Sequence, residues 1–243
     1  YLFLYTAQHC PDIDVAWVSL SRDTVRLVRS YGFKAYSVFS LAGVWHALTS
    51  RYWFFNSYTS DIMFCLSGRA VCFNLWHGLA IKRIEYNITS GDLAGLYAKT
   101  DFGMMFTHPQ VFRKPNYLLS SSSSQTGQFS TAFRVPTERC KEFGYPRCHI
   151  LLCDDEERMH HINHFEPQST VDLVARLHQY DKVYIYMPTW RDSQRTVFTQ
   201  SMDLARLNQV LAEHNELLLL KPHSNVEVDA TMLNFSNIVF VDG

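Results

Sequence analysis

The sequence predicts an α/β protein with two parallel β-sheets, one in each of two domains. Three observations support this prediction. Strand-like and helix-like segments alternate, the strands of the second half are almost continuously apolar, and one polar, acidic, histidine-rich stretch at 154–168 interrupts the alternation. Near-continuous apolar strands are typical of parallel sheets that are covered on both faces. We therefore predict a first domain at 1–165 and the first part of a second at 166–243.

In the first domain, each predicted element follows from a local pattern. Residues 1–5 are an apolar, strand-like run, and Gly32 ends a helix that begins near Asp23. Apolar residues before Asn74 indicate a short buried strand. The predicted strands are 1–5, 16–18, 34–38, 71–73 and 117–119, and the predicted helices are 23–31 and 128–133.

The second domain repeats the same alternation with longer apolar strands. The predicted strands are 183–187, 216–220 and 238–241, and the predicted helices are 171–180 and 202–214. The chain starts in an apolar run without an initiating Met and stops just after a strand. We therefore expect a fragment of a longer protein.

Composition excludes several classes of function. A formal net charge of −1 does not provide the broad basic field of a nucleic-acid-binding protein, so no nucleic-acid partner is expected. No apolar run approaches the roughly 20 residues that span a bilayer. The cysteines form no Cys-x-x-Cys pair, which favours a reducing cytoplasm over a disulfide framework. They are Cys10, Cys65, Cys72, Cys140, Cys148 and Cys153.

One group of side chains could be considered as a metal site. It consists of Cys148, Cys153, His160 and His164, but the gap between the two pairs is shorter than in a zinc finger. The acidic run 154–158 inside that gap resembles a solvated helix start. We predict no metal site and no cofactor.

The most informative motif is the run 74–78, Asn-Leu-Trp-His-Gly, with Lys82 shortly after it. His77 lies where a buried strand turns, and Gly78 is expected to allow a sharp turn close to a ligand. An imidazole titrates near neutral pH, so His77 can accept a proton from a substrate hydroxyl.

A second histidine follows a second strand in the same way. His223 comes after the strand 216–220 and Lys221, while Arg191 and Asp192 follow the strand 183–187. Open parallel sheets bind ligands at the carboxyl ends of their strands, so we expect a cleft between two domains. Histidines with neighbouring cations indicate a site for phosphate.

Taken together, four motifs resemble one family. They are 74–78 with Lys82, 143–147 (Phe-Gly-Tyr-Pro-Arg), 186–192 (Tyr-Met-Pro-Thr-Trp-Arg-Asp) and 220–223 (Leu-Lys-Pro-His). In this order and spacing they are similar to the CDP-glycerol glycerophosphotransferase family, whose members build poly(glycerol phosphate) chains of teichoic acids and capsular polymers. Each motif alone is weak, whereas the ordered set covers most of the chain.

The resemblance implies a GT-B fold of two Rossmann-like domains and the transfer of glycerol phosphate from CDP-glycerol to an acceptor hydroxyl, with release of CMP. It implies His77 as the general base and His223 as a catalytic contact to the donor phosphates. Residues expected to bind the donor or its phosphates are Gly78, Lys82, Arg147, Thr189, Arg191, Asp192, Lys221, Ser224 and Asn225.

The expected partners follow from the same resemblance. The donor is CDP-glycerol or CDP-ribitol, and the acceptor is a lipid-linked or polymeric polyol phosphate or glycan. We expect a cytoplasmic protein, with peripheral contact to the inner face of the cell membrane as an open alternative. The aromatic run 52–55 is most simply core, and its alternative is a surface patch that contacts the membrane or a lipid-linked acceptor.

Each assignment has a structural alternative. A histidine after a strand is commonly a turn residue, and Arg191 can simply pair with Asp192. The run 143–147 can be a turn that fixes a domain interface, and the serines 120–124 are more typical of a flexible loop than of a site.

The sequence also departs from the family pattern. Gly-Gln-Phe stands at 127–129 where members carry Glu before Ile-Phe, and Arg-Cys-His stands at 147–149 where Arg-Asn-Asp is usual. A later Asp-Tyr-Ser-Ser segment would lie beyond Gly243. Two other functions therefore stay open: a GT-B glycosyltransferase that uses a nucleotide sugar, and a non-catalytic relative that binds a polymer.

Overall fold

The computed structural model describes residues 1–91, 94–98, 102–187, 202–221 and 235–241. Contacts divide the chain into two compact units, Tyr1–Asp154 and Asp155–Gly243. This division lies eleven residues before the predicted boundary between residues 165 and 166, because the helix that begins at Asp155 belongs to the second unit.

The first unit alternates short strands with helices. Its elements are α1 (Leu2–His9), β1 (Trp17–Ser19), α2 (Arg22–Ser30), β2 (Ala35–Ser37), α3 (Leu41–Thr49), β3 (Tyr52–Phe55), β4 (Val71–Asn74), α4 (Ala94–Ala98), α5 (Phe102–Thr107), α6 (Pro109–Phe112), β5 (Tyr117–Ser120), α7 (Ser123–Phe133) and β6 (Cys140–Glu142). Short 3-10 helices occupy Thr59–Asp61, Phe64–Arg69, Glu85–Asn87, Thr137–Arg139 and Pro146–Leu151.

Two parallel sheets form in this unit. β1 pairs with β2, and β3, β4, β5 and β6 form a four-stranded sheet in that order. All strands of the larger sheet run in one direction, so their carboxyl ends lie along one edge. The loops after β3, β4, β5 and β6 are therefore neighbours in space.

The core under that edge is apolar and aromatic. Leu118 of β5 packs with Phe129 and Phe133 of α7, and Trp76 joins them from the loop after β4. The Trp76 and Phe133 rings meet edge to face, with centroids 4.8 Å apart, an arrangement that aromatic pairs favour. The loop after β4 is therefore fixed to the core by its own tryptophan.

The second unit contains α8 (Asp155–Phe165), α9 (Gln168–Leu177), β7 (Lys182–Tyr186), α10 (Leu204–Glu213), β8 (Glu216–Leu220) and β9 (Ile238–Phe240). The three strands form a parallel sheet in the order β7, β8, β9. Leu218 and Leu220 of β8 pack against Leu204 and Leu211 of α10, with Ile238 of β9 beside them. The predicted α/β class with parallel sheets is confirmed.

The predicted strand at 1–5 is wrong, because these residues begin the helix α1. A short apolar run does not distinguish a strand from a buried helix. Phe3 decides the outcome: its ring lies edge to face against Trp17 and Phe33, at centroid distances of 5.4 and 5.7 Å. The helix thus covers the sheet formed by β1 and β2.

The helix predicted at 128–133 begins earlier, at Ser123. The Ser122 side chain accepts a hydrogen bond from the Gln125 N–H, which is the role serine commonly plays before a helix. The serines 120–124 are therefore not a loop throughout: Ser120 ends β5, Ser122 caps α7, and Ser123 and Ser124 begin the helix.

Burial differs from the prediction in two strands. The side chains of β7 are all exposed, and Ile185 is 63% exposed, so this strand is not covered on both faces. In β3, Trp53 and Phe55 are buried whereas Tyr52 and Phe54 are about half exposed, so the aromatic run 52–55 is only partly core.

Candidate functional site

His77 lies in the loop that follows β4, at the carboxyl edge of the four-stranded sheet. We refer to residues 75–85 as the His77 loop. Its first turn is formed by Trp76, which has a left-handed backbone with φ 53°. The Asn74 side chain stabilises this turn, since its Oδ1 accepts from the Trp76 N–H at 2.8 Å. The predicted position of His77 at a strand end is therefore where the structure places it.

The backbone bends at Gly78, as predicted, but without a positive φ. The positive φ belongs to Trp76, and Gly78 is not in the left-handed region. A Cβ atom at position 78 would meet no atom within 4 Å. The backbone beside His77 therefore borders open space that a ligand could occupy.

The His77 imidazole is held by one backbone carbonyl. Its Nδ1 lies 2.8 Å from the carbonyl oxygen of Asn56, in the segment just after β3. A carbonyl oxygen only accepts hydrogen bonds, so Nδ1 carries the proton of the neutral ring and Nε2 offers a lone pair. The ring is exposed and lies 4.1 Å, centroid to centroid, from the anchored Trp76 ring.

The segment after β6 supports the His77 loop from another side. Tyr145 donates its hydroxyl to the Gly78 carbonyl at 2.9 Å, and Arg147 donates Nη1 to the His77 carbonyl at 2.9 Å. The Arg147 guanidinium also lies over the Tyr145 ring, 4.8 Å from its centroid. Within the described residues, the run 143–147 thus contacts the His77 loop.

A third contact comes from α7. The Ala80 N–H donates to Oε1 of Gln125 at 3.0 Å, and Gln125 Nε2 donates to Oε1 of Gln128 at 3.2 Å. Gln128 directly follows Gly127, which stands where the resembling family carries Glu. A pair of amides therefore occupies the helix surface beside the loop at that point.

The far end of the His77 loop contains a buried acid that the sequence analysis did not single out. Glu85 is only 6% exposed, and its φ of 49° is in the left-handed region. The Tyr58 hydroxyl lies 2.9 and 3.0 Å from the two carboxylate oxygens of Glu85 and 2.8 Å from the Tyr97 hydroxyl. A carboxylate and two phenols thus form one hydrogen-bonded cluster.

Burial is the main influence on the ionisation of this cluster. It raises the pKa of Glu85, while hydrogen bonding within the cluster of Tyr58 and Tyr97 and the nearby His77 lower that pKa in part. Burial also raises the pKa of Tyr58 far above its ordinary value and that of Tyr97 to about 12. Both phenols are therefore protonated donors at neutral pH.

A second carboxyl lies near His77. Oδ2 of Asp61 accepts from the Ser57 N–H at 3.1 Å. Burial raises the pKa of Asp61, whereas backbone N–H groups and His77 lower it. Asp61 and Glu85 are therefore both close enough to His77 for the imidazole to lower their pKa values in part.

A small cavity lies beneath the site. It has a volume of about 20 Å³, and its lining includes Tyr58, Thr59, Asn74, Glu85 and Arg113. Oγ1 of Thr59 and Nε of Arg113 are buried without a hydrogen-bond partner in the described part of the chain. This volume suits one water molecule and is far below that of a nucleotide pocket, so the cavity is not where a donor would bind.

The other predicted site residues divide into two groups. Lys82 is exposed on the His77 loop, and Lys221 directly follows β8, where its N–H donates to the Tyr186 carbonyl at 3.0 Å. The remaining predicted residues lie outside the described ranges: Thr189, Arg191, Asp192, His223, Ser224 and Asn225.

The described residues also bear on metal binding and on membrane crossing. No group of three or more His, Cys, Asp or Glu side chains with metal-binding geometry occurs among them. Within the same ranges, none of the helices combines the length and the hydropathy that a membrane crossing requires.

Comparisons with known proteins agree with the motifs. The family model described as CDP-Glycerol:Poly(glycerophosphate) glycerophosphotransferase matches residues 1–242. A teichoic acid glycerol-phosphate transferase of Staphylococcus aureus is 24% identical over 231 residues, which are 91% of this chain and 55% of the relative. A teichoic acid poly(glycerol phosphate) polymerase of Bacillus spizizenii is 24% identical over 83% of this chain and 49% of the relative. The chain thus spans about half the length of these curated relatives.

Solved structures show the same fold. The wall teichoic acid polymerase TagF matches with a TM-score of 0.71 at 22% identity, covering 100% of this chain and 56% of TagF. A TagF variant soaked with CDPG matches with a TM-score of 0.70 at 20% identity, over 98% and 56% of the two chains. These neighbours establish the fold, and the family model covers nearly every residue. The chain belongs to the CDP-glycerol:poly(glycerophosphate) glycerophosphotransferase family.

Proposed function

We propose that this protein transfers glycerol phosphate from CDP-glycerol to a hydroxyl group of a teichoic-acid-like or capsular polymer and releases CMP. The observation that carries the proposal is the state of His77. Its Nδ1 donates to the Asn56 carbonyl, and its Nε2 is left as a base on an exposed loop at the carboxyl edge of a parallel sheet. Membership of the family and the names of its relatives support the donor and the acceptor class.

The proposed step is a displacement at phosphorus. The acceptor oxygen forms a bond to the β-phosphorus of CDP-glycerol, and the bond from that phosphorus to the bridging oxygen breaks. The electron pair of the broken bond leaves with CMP, and the proton of the acceptor hydroxyl passes to Nε2 of His77. A positioned base of this kind typically accelerates such a step by ~10²–10⁴-fold.

Positive charge must balance the phosphoryl oxygens during transfer. In this proposal His223, Lys221 and Arg191 contact the donor phosphates. The other donor residues named in the sequence analysis bind the rest of the donor, except Arg147, whose guanidinium donates to the His77 backbone. Lys82 is exposed on the His77 loop itself, so its ammonium can reach a phosphate held beside the imidazole. We propose that these groups suffice and that the reaction uses no metal or other cofactor.

The finer identity of the substrates is part of the proposal. CDP-ribitol is the alternative donor, and a lipid-linked primer or a growing polymer is the acceptor. We propose that the enzyme works in the cytoplasm, at the inner face of the membrane. Exposed aromatic side chains such as Tyr52 and Phe54 are suited to such peripheral contact.

The test is CMP release by the full-length protein, with CDP-glycerol or CDP-ribitol as donor and a phosphoglycerol-primed acceptor. The variants are His77→Gln, His223→Gln and, as a matched control, His108→Gln at an exposed histidine that hydrogen-bonds to its neighbour Thr107. We expect release that requires the acceptor, is lost in His77→Gln and continues in His108→Gln.

Donor affinity separates a base from a binding residue. In calorimetric titration, His77→Gln should bind the donor with nearly the affinity of the unmodified protein, because the base acts on the acceptor. Release of CMP by His77→Gln at the unmodified rate would refute the role of His77. Folded protein that releases no CMP from either donor would refute the transferase, and turnover of a nucleotide sugar would identify the glycosyltransferase instead.

A further inference from the structure

The segment 56–58, which follows β3, contacts the His77 loop and the residue before it at three points. Its first residue accepts from His77 and its second accepts from Nδ2 of Asn74 at 3.0 Å. Its third residue, Tyr58, reaches Glu85 with its hydroxyl. Three consecutive residues therefore contact Asn74 just before the loop, His77 near its start and Glu85 at its far end.

Glu85 occupies an unfavourable position that only its surroundings can maintain. A left-handed backbone is strained for a residue with a Cβ atom, and a buried carboxyl loses its hydration. No ion pair that includes Glu85 occurs in the described part of the chain. The phenols of Tyr58 and Tyr97 supply the polar contacts that compensate for the burial.

The proton arrangement in this cluster follows from the chemistry of the groups. A phenol has one proton, and when Glu85 is ionised the Tyr58 proton points to the carboxylate. Tyr97 then donates to the Tyr58 oxygen across 2.8 Å. Tyr97 is 7% exposed on α4, so the cluster ties α4, the segment 56–58 and the His77 loop together.

We propose that Tyr58 and Glu85 are positioning residues for His77. The inference rests on the proposed function, in which His77 is the base. The imidazole is exposed, and its tautomer depends on one carbonyl in the segment 56–58. That hydrogen bond persists only if the segment 56–58 and the His77 loop keep their relative position. The Tyr58–Glu85 contact holds them together on the C-terminal side of His77, and the Asn74–Ser57 hydrogen bond holds them together on its N-terminal side.

The test compares Tyr58→Phe, Glu85→Ala and Glu85→Gln with the matched control Tyr86→Phe. Tyr86 is next to Glu85 in the sequence. The Arg134 guanidinium lies over the Tyr86 ring, 3.8 Å from its centroid, and the Tyr97 ring packs edge to face against it. We expect Tyr58→Phe and Glu85→Ala to lower kcat about tenfold or more, within the range of a general base, with little change in the KM for CDP-glycerol. Glu85→Gln keeps an acceptor oxygen and should restore most of that turnover. Tyr86→Phe should behave like the unmodified protein.

A second readout observes His77 directly. In protein with ¹⁵N-labelled histidine, the signal missing from His77→Gln identifies His77, and its two nitrogen shifts report the tautomer. We expect a single Nδ1-protonated form in the unmodified protein and a mixture of tautomers in Tyr58→Phe. A folded Tyr58→Phe protein with unchanged kcat, or with an unchanged His77 tautomer, would overturn the inference. If the unmodified protein released no CMP, the nitrogen shifts would still decide the inference, and only the proposed function would fail.

Discussion

Arg147 donates its Nη1 to the backbone carbonyl of His77 across 2.9 Å, although the two residues are 70 positions apart. The contact joins the loop after β6 to the loop after β4. Because Arg147 points at the backbone of the His77 loop, its contribution can be separated from that of a donor-binding cation.

Replacement of Arg147 by Ala should lower kcat more than it raises KM, because the hydrogen bond positions the His77 loop. The side chain is exposed, so the free energy of unfolding should fall by no more than about 1 kcal/mol. Steady-state kinetics and urea unfolding provide the two measurements, and Arg139→Ala is a control at another exposed arginine. A raised KM with an unchanged kcat would instead assign Arg147 to the donor phosphates.

Asn74→Ala should destabilise the protein by about 2–3 kcal/mol, since it leaves the Trp76 N–H and the Ser57 carbonyl without their buried partner. Asn74 is 2% exposed. Asn87→Ala is the matched control, because its hydrogen bond to Thr131 is exposed and its loss should cost less than about 1 kcal/mol. Equal losses of stability for Asn74→Ala and Asn87→Ala in urea unfolding would contradict the role of Asn74 in stabilising the turn at Trp76.

Replacement by alanine should have a large effect on stability at Gly43 and a small one at Gly78. A Cβ atom at Gly43 would lie 2.0 Å from the Ser37 carbonyl oxygen, so Gly43→Ala should destabilise the first unit by about 2–3 kcal/mol or more. Gly78→Ala meets open space at an ordinary φ and should change stability by less than about 1 kcal/mol. Thermal unfolding measures the stability of both variants. A loss of stability in Gly78→Ala as large as in Gly43→Ala would contradict the open space beside Gly78.

The difference in stability between Glu85→Gln and the unmodified protein should depend on pH. Burial raises the pKa of Glu85 in the folded protein, so the unfolded chain loses this proton first as the pH rises. The favourable contribution of Glu85 is therefore present below the unfolded pKa of about 4.3 and is lost as the pH rises through the folded pKa. The Gln variant should gain stability relative to the unmodified protein from pH 4 to pH 7.

Urea unfolding at pH 4, 5.5 and 7 measures this difference. Asp61, whose pKa burial also raises, is present in both proteins, so the difference between them isolates Glu85. A difference in stability that stays constant from pH 4 to pH 7 would contradict a raised pKa for Glu85.

Local patterns in the sequence were sufficient to place His77. The apolar run before Asn74 forms β4 as predicted, and the histidine follows its end, since strand and turn signals extend over only a few neighbouring residues. The parallel class also followed from local evidence. In contrast, the strand predicted at 1–5 failed because five apolar residues fit a helix equally well, and the packing of Phe3 decided between them.

The partners of His77 could not be predicted, because they are distant in the sequence. Asn56 lies 21 positions before it, and Tyr58 reaches Glu85 across 27 positions and Tyr97 across 39. The polar residues that follow the aromatic run 52–55 were the available signal, since they mark another strand end beside β4. Without the strand order, nothing in the sequence indicates that this strand is the neighbour of β4.

By itself, the sequence determined the α/β class, the family motifs and the position of His77 after a strand, because hydrophobic periodicity and motif spacing are properties of neighbouring residues. Only the tertiary structure decided which ring nitrogen of His77 carries the proton and which residues support its loop. Those features depend on the order β3, β4, β5, β6, which brings the carboxyl ends of four separate strands to one edge of the sheet.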